Sequence, residues 1–311
     1  MKRSEKMVNR SEIRDSENVS KITLINPALS NKIGVLICSF FVMIIITGEI
    51  GGFIHRFALS ERSYLLLVSV VQSVLAFIFP AWLVAFLCSS KPSRYLRLNN
   101  PANLRQYVGV LVLLVIMGPA MNLIVEWNSN ITFPDSLSGV YNIFKSLEDK
   151  AAVSTDIILS DSSWWGLISG IAIVGCLTGF AEEIFFRAGL QNSLSTSGIN
   201  VHVAVWSTAF IFSLLHFQFF GFVPRLILGA CFGYIFYFSQ SIWLAAFMHA
   251  VNNSSVVVMA WLNRNGILHL DIDSFGTSES GQIWIALFSL ILTCLFVKLV
   301  MPTLFCKSKS A

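Results

Sequence analysis

Residues Ala181–Arg187 read Ala-Glu-Glu-Ile-Phe-Phe-Arg and place two adjacent carboxylates and an arginine at the end of an apolar run that begins near Trp164. No charged residue lies between Asp161 and Glu182. A charged side chain at the centre of a bilayer is costly, so an ionisable group at that depth indicates a functional site. The stretch therefore predicts a membrane-spanning helix with a candidate site on it.

The spacing of these charged residues predicts different roles for the two carboxylates. Glu183 and Arg187 are four residues apart, so on a helix they share a face, with the acid N-terminal to the base, which is the favourable order. We expect them to form a structural ion pair. Glu182 points about 100° away and has no partner on its own helix, so it is predicted to be the working carboxylate.

The composition indicates a membrane protein. Of the 311 residues, 55% are hydrophobic and 12% are charged, whereas a soluble domain carries about 25% charged residues. We therefore predict an all-α polytopic membrane protein, with about eight transmembrane helices around an intramembrane catalytic cavity. Spans of about 20 apolar residues suffice to cross the hydrocarbon core. The candidate spans are 33–54, 64–88, 107–127, 163–195, 203–220, 222–239, 242–262 and 282–305.

The fourth span, 163–195, is longer than a bilayer requires. We expect it to tilt, to break near Gly179 or to project from the membrane. The spans also suggest a division of the chain into five parts: a polar cytoplasmic tail, three N-terminal transmembrane helices, an extracytoplasmic segment, a catalytic core, and an outer loop followed by the last helix and a basic tail. Their predicted bounds are, in that order, 1–31, 32–127, 128–162, 163–262 and 263–311.

The net charge of +4 does not indicate nucleic-acid binding. The distribution of Lys and Arg among the loops instead predicts the topology. Lys and Arg concentrate in residues 1–31, in the 89–106 loop and in the tail after Phe305. Cytoplasmic segments carry the excess of these residues, so both termini are predicted to be cytoplasmic. The acidic segments 128–162 and 263–281 then face outward. In a prokaryote the protein would lie in the plasma membrane.

Two later stretches supply further polar groups at membrane depth. Phe212-Ser-Leu-Leu-His216 lies in the fifth span, and His249-Ala-Val-Asn-Asn253 lies in the seventh. His249 and Asn253 are four residues apart and share a helix face. Two of the five histidines of the chain thus fall in the spans that follow the acidic pair.

Counting along the chain places Glu182 and His216 at one depth. The turn between the fourth and fifth spans lies near residues 197–200, so Glu182 precedes Ile199 by about as many residues as His216 follows it. With a helical rise of about 1.5 Å per residue, both lie roughly 25 Å from the turn. We therefore expect these two side chains to meet in a cavity that holds water, with His249 somewhat shallower.

The three motifs Glu-Glu-x-x-x-Arg, Phe-x-x-x-His and His-x-x-x-Asn, each on its own predicted membrane helix, resemble the intramembrane CAAX-protease and bacteriocin-processing family, also called the Abi family. Its eukaryotic members are the type II CAAX prenyl endopeptidases. The resemblance covers roughly residues 160–262. The chain departs from many members in having Ala188, where they carry Gly directly after the Arg.

The resemblance implies an intramembrane endopeptidase. Glu182 would be the general base, His216 would position the water, and His249 and Asn253 would donate hydrogen bonds to the oxyanion. The implied partners are the lipid bilayer and a peptide or protein substrate, and no nucleic acid. No cofactor is expected.

Three alternatives stay open at the level of sequence. Glu182, His216 and His249 are the ligand types of a catalytic zinc site, although the chain has no His-Glu-x-x-His motif and Asn253 is of a poor ligand type for zinc. A non-catalytic membrane scaffold or peptide-toxin immunity protein of the same family is the second alternative. An ion-coupled transporter is the third, but it predicts a repeat between the two halves of the chain, and the hydropathy pattern has none.

Arg225 follows Pro224 in the sixth span. This position favours an arginine whose guanidinium extends to the membrane interface. Contact with a carboxylate of the substrate is the alternative.

Overall fold

The structure is a computed structural model, which describes residues 23–26, 28–57, 60–268 and 274–305. Most of the predicted polar tail, 1–31, and the end of the basic tail lie outside the described residues. Within them the chain forms helices and loops and no strand. The predicted all-α class is confirmed.

The principal helices of the described residues are, in chain order, α1 (Leu29–His55), α2 (Glu61–Cys88), α3 (Leu104–Ser129), α4 (Ser138–Ile158), α5 (Trp164–Thr196), α6 (Val201–Leu214), α7 (Phe222–Ser239), α8 (Ile242–Arg264) and α9 (Ile283–Phe305). All except α4 and α6 are long and apolar enough to cross a membrane, when α7 is counted with the helical turn Phe219–Gly221 before it. The chain is therefore a multi-pass integral membrane protein, as predicted.

The fifth predicted span, 203–220, is wrong in its extent. Helix α6 ends at Leu214, and the chain then turns, with Phe217 in the left-handed region at φ +54°. Fourteen residues rise about 21 Å, which is less than the roughly 30 Å of a hydrocarbon core. Hydropathy could not reveal the turn, because Phe217, Phe219 and Phe220 continue the apolar run through it.

Helix α4 covers this turn. The ring of Phe144 in α4 stacks on Phe219, with 4.8 Å between centroids and 3° between planes. Tyr141 meets Phe220 edge to face. The segment that was predicted to face outward thus packs over the connection between α6 and α7 and forms part of the fold.

Helix α5 does not break near Gly179, whose backbone is helical at φ −57° and ψ −43°. It instead contains two π-helical segments, Ile171–Thr178 and Ile184–Gln191. The acidic pair ends the short α-helical stretch between them, Gly179–Glu183. Such segments are rare and frequently occur at functional sites.

Glycines let α5 approach α8 closely. A Cβ on Gly175 would clash with the hydroxyl of Ser254, and a Cβ on Gly179 would lie 3.2 Å from the backbone nitrogen of Ala250. Small residues at such interfaces let membrane helices pack backbone to backbone. This contact brings the acidic pair of α5 next to the third motif on α8.

Two polar side chains join α5 to α7. Arg187 Nη2 donates to the carbonyl of Gly229 at 2.8 Å, and Gln191 Nε2 donates to the carbonyl of Gly233 at 2.9 Å. The donors are four residues apart, as are the acceptors. Because these donors are buried, the bonds fix the rotation of α5 about its axis, and therefore fix where Glu182 and Glu183 point.

The loops gather at two ends of the helix bundle. At one end Trp243 Nε1 donates to the carbonyl of Leu98, in the basic loop after α2. At the other end Arg264 contacts Asp156 of α4 at 3.3 Å. The two predicted outward segments therefore meet each other, at the end opposite the basic loop.

Candidate active site

A cavity of about 550 Å³ lies between α3, α4, α5, α7, α8 and the turn after α6. Most of its wall is apolar. The polar residues that line it are Thr155, Glu182, His216, Arg225, His249, Asn252 and Asn253. The structure thus brings together all four residues that the sequence predicted to be catalytic.

Glu182 is 8% exposed and faces this cavity. Its Oε2 lies 3.7 Å from Nε2 of His249. That distance is too long for a hydrogen bond, but it is short enough for charge attraction when the ring is protonated. Glu182 therefore has a histidine of another helix as its nearest possible partner.

Glu183 lies behind the cavity and is completely buried. Its Oε1 is 2.9 Å from Nη1 of Arg187, which is the predicted pair. The same oxygen is also 2.9 Å from Nδ1 of His249. Helical spacing predicted Arg187 as the partner of Glu183, and that prediction was incomplete, because spacing along one helix cannot report a contact between helices. A carboxylate only accepts, so Nδ1 of His249 carries a hydrogen and donates it.

The guanidinium of Arg187 is also buried, and aromatic rings surround it. It lies 4.8 Å from the ring centroid of Phe212 and 5.4 Å from that of Phe232. Cations are attracted to the faces of aromatic rings, more strongly when desolvated. These rings, Glu183 and the Gly229 carbonyl together offset the loss of water around the charge.

Two contacts between Phe212 and His216 explain the spacing of the Phe-x-x-x-His motif. The Phe212 carbonyl accepts a hydrogen bond of 2.7 Å from Nδ1 of His216, and the two rings meet edge to face at 4.8 Å. The Phe212 ring also lies edge-on to His249, at 5.8 Å. Because Nδ1 of His216 donates, Nε2 is the acceptor nitrogen in the neutral ring. His216 was predicted to lie within the fifth span. In the structure it lies in the turn after α6.

Asn253 is held by backbone of α5. Its Nδ2 donates to the carbonyl of Val174 at 3.3 Å, and its Oδ1 accepts from Asn252 at 3.4 Å. Val174 belongs to the first π-helical segment of α5. An amide nitrogen has two hydrogens, so Asn253 retains one for a ligand in the cavity.

Residues 164–255 match the family model described as Type II CAAX prenyl endopeptidase Rce1-like. This segment is similar to that family. The Rce1-like segment runs from the start of α5 into α8 and contains all three motifs, so the predicted family is confirmed. No curated protein and no solved structure matches the chain.

Sequence reasoning missed a polar chain at the cavity wall. Arg225 Nη2 donates to Oε1 of Gln218 at 2.7 Å, and Gln218 Nε2 lies 3.5 Å from Oε1 of Glu148. Gln218 and Arg225 belong to the Rce1-like segment, whereas Glu148 comes from α4, which precedes it. Nothing in the sequence pairs α4 with the turn after α6, so only the fold could reveal this chain.

The three residues that could bind zinc are not grouped as metal ligands in this structure. The bonds from Nδ1 of His249 to Glu183 and from Nδ1 of His216 to the Phe212 carbonyl leave Nε2 of each ring free. Zinc-bound histidines make the same kind of bond from their second nitrogen, so these two bonds do not argue against a metal. Across the described ranges, no three or more His, Cys, Asp or Glu side chains are grouped so that they could hold a metal ion. The mechanism proposed below does not use zinc, and metal-free catalysis stays a prediction.

Proposed function

We propose that the chain is an intramembrane endopeptidase that hydrolyses a peptide bond in a membrane-associated peptide or protein, using water activated by Glu182. One observation carries the proposal. Glu182, His216, His249 and Asn253 come from three separate motifs of the Rce1-like segment and line one cavity. A scaffold would need none of these groups in such proximity.

In the proposed first step, Glu182 acts as the general base. It takes a proton from water while Nε2 of His216 accepts the other hydrogen and holds the oxygen toward the scissile carbonyl. The attack gives a tetrahedral oxyanion. General-base catalysis of this kind contributes roughly 10²–10⁴ in rate. Glu182 then gives the proton to the leaving amine.

The oxyanion is stabilised by donors on α8. Because Nδ1 of His249 donates to Glu183, the ring can donate into the cavity only from a protonated Nε2, which makes it an imidazolium. The second N–H of Asn253 is the other donor. One such donor is worth roughly 10²–10³ in rate.

Comparative proteomics tests the proposed function. Membranes and medium of cells that carry wild-type protein should contain cleaved peptides that are absent when the protein carries Glu182→Gln, because the variant lacks the base but retains the shape. The two proteins must be compared at equal abundance. Identical peptide sets in the two strains would refute the proposal.

Zinc analysis separates metal from carboxylate catalysis. We expect purified protein to contain no stoichiometric zinc and its cleavage rate to be unchanged by chelators, because the proposed base is Glu182 and the described His, Cys, Asp and Glu side chains form no group of three or more that could hold a metal ion. Elemental analysis and a chelator titration provide the measurement. One zinc per chain, lost together with activity, would make Glu182, His216 and His249 ligands and would overturn this assignment.

We also propose that both termini are cytoplasmic, since the basic loop after α2 and the acidic segments lie at opposite ends of the bundle. A single cysteine at Ser138, in an otherwise cysteine-free chain, should react with a membrane-impermeant reagent in intact cells. The matched control is a single cysteine at Ser93, in the basic loop, which should react only after the membrane is opened. The reverse pattern would invert the topology.

A further inference from the structure

Arg225 gives the cavity a second charged group. Among the described residues that line the cavity, Glu182 carries the negative charge and Arg225 the positive charge. Glu183 and Arg187 pair with each other behind the wall. A substrate in the cavity would therefore meet a carboxylate at one place and a guanidinium at another.

The guanidinium of Arg225 is held in place but is only partly used. Its Nη2 donates to Gln218, which Glu148 of α4 approaches in turn. Its Nη1 is buried and has no hydrogen-bond partner in the described part of the chain. Glu148 and Glu182 are near enough to attract its charge, but neither they nor any other carboxylate of the described residues forms a direct ion pair with Arg225. The residue thus keeps a charged donor available.

Gly221 leaves room for this arrangement. A Cβ at that position would lie 3.2 Å from Nη2 of Arg225, which is close contact, and Gly221 lines the same cavity. The absence of a side chain there leaves space for the guanidinium beside the backbone of Gly221. Arg225 therefore borders the cavity, and its predicted extension to the membrane interface stays a prediction.

We propose that Arg225 binds a carboxylate of the substrate, and that it determines which peptides the cavity accepts. The inference rests on the proposed function, since the ligand is the peptide. A guanidinium matches the geometry of a carboxylate and forms strong charge-assisted hydrogen bonds with it. A site with a buried donor discriminates against ligands that leave the donor unpaired. The carboxylate belongs either to the C-terminus of the peptide or to an acidic side chain.

A purely structural role would explain only part of these contacts. The bond from Nη2 to Gln218 anchors the turn after α6, and a neutral donor at position 225 could make it equally well. The charge is attracted by Glu148 at the far end of this polar chain, but Nη1 takes no part in the anchor. Charge and anchoring are therefore separable by substitution: Arg225→Gln removes the charge, and Arg225→Lys keeps it.

Binding to a protein that cannot hydrolyse its ligand tests the proposal. The full chain with Glu182→Gln is purified in detergent and titrated calorimetrically with three probes. They are N-acetyl-Ala-Leu-Ala-Leu with a free carboxylate, the same peptide as its C-terminal amide, and N-acetyl-Ala-Leu-Ala-Asp-Leu amide. The titrations are repeated with Arg225→Gln or Arg225→Lys added. Arg264→Gln is the matched control, because Arg264 also contacts α4 but lies outside the cavity.

We expect the free acid to bind at least about tenfold more tightly than the amide, as the loss of one charge-assisted contact predicts. Arg225→Gln should remove the difference, Arg225→Lys should keep part of it, and Arg264→Gln should leave it intact. Preference for the Asp-containing amide instead would assign the site to an acidic side chain. Equal or undetectable binding of all three probes, or a preference that survives Arg225→Gln, would overturn the proposal.

These outcomes are independent of the test of hydrolysis. If Glu182→Gln still cleaves in cells, the proposed function fails while the carboxylate preference can stand. If Glu182→Gln stops cleavage and the acid and amide bind equally, the peptidase stands and the role of Arg225 fails. The comparison of acid with amide needs no Arg225 variant, so misfolding of such a variant would not leave the proposal untested.

Discussion

Glu182→Gln is expected to reduce cleavage by roughly 10²–10⁴, the contribution of a general base, while the protein folds and accumulates normally. The amide has nearly the shape of the carboxylate but cannot take a proton from water. Cleavage is measured as initial rates of purified protein in detergent, on a peptide product identified by the proteomic comparison. Glu49→Gln, at an exposed carboxylate of α1, is the isosteric control and should leave the rate unchanged.

The other cavity residues should follow in a graded order. His216→Ala is expected to approach the loss seen with Glu182→Gln, because the water then has no second acceptor. Asn253→Ala should retain measurable turnover, since His249 still donates to the oxyanion and a single donor costs about 10²–10³. Double variants should fall well short of the product of the single effects, because residues that act as a unit are not additive. Full complementation of a cellular phenotype by Glu182→Gln and His216→Ala would instead support a scaffold or immunity protein.

Glu183→Ala should be the most destabilising substitution in the site, by about 3–5 kcal/mol, the usual cost of leaving a buried charge unpaired. Both side chains of the pair are 0% exposed, so water cannot replace the lost carboxylate. His249 would lose its acceptor as well. Thermal unfolding in detergent and abundance in membranes give the measurement, and wild-type values for both would contradict a structural role.

A double substitution separates folding from activity at this position. Glu183→Ala combined with Arg187→Met removes both charges, and replacing a buried pair by apolar residues is often neutral for stability. We expect abundance to recover and cleavage to remain low, because Nδ1 of His249 then has no acceptor, although Phe212 and Phe232 still contact the ring. Glu182→Gln, which leaves both contacts intact, should unfold at the wild-type temperature.

The sequence was informative about the chemistry because charged residues are rare at membrane depth. Glu182, His216, His249 and Asn253 stood out against apolar surroundings, and counting residues from the turn at 197–200 was enough to place the first two together. The ion pair of Glu183 with Arg187 followed from helical spacing. Contacts of this kind depend only on periodicity, which a single sequence carries.

What the sequence could not provide were contacts between helices. The bond from His249 to Glu183 depends on how closely α8 approaches α5, and the π-helical segments of α5 leave no mark in a hydropathy pattern. The chain from Glu148 to Arg225 joins an outer helix to a turn that hydropathy had placed inside a span. Both contacts depend on how the packed helices are rotated and how deep each one lies relative to the other, which a single sequence does not give.

The short length of α6 has a consequence for the lipid around it. Several of its large side chains, including Trp206 and Phe210, are exposed on the outer surface of the bundle, so they meet acyl chains. When a hydrophobic helix is shorter than the hydrocarbon core, the bilayer thins beside it. A helix of about 21 Å next to a core of roughly 30 Å produces such a mismatch. Water then has less hydrocarbon to cross at the end of α6 nearest His216. The acyl-chain length of the surrounding lipid should therefore change how readily the cavity is hydrated.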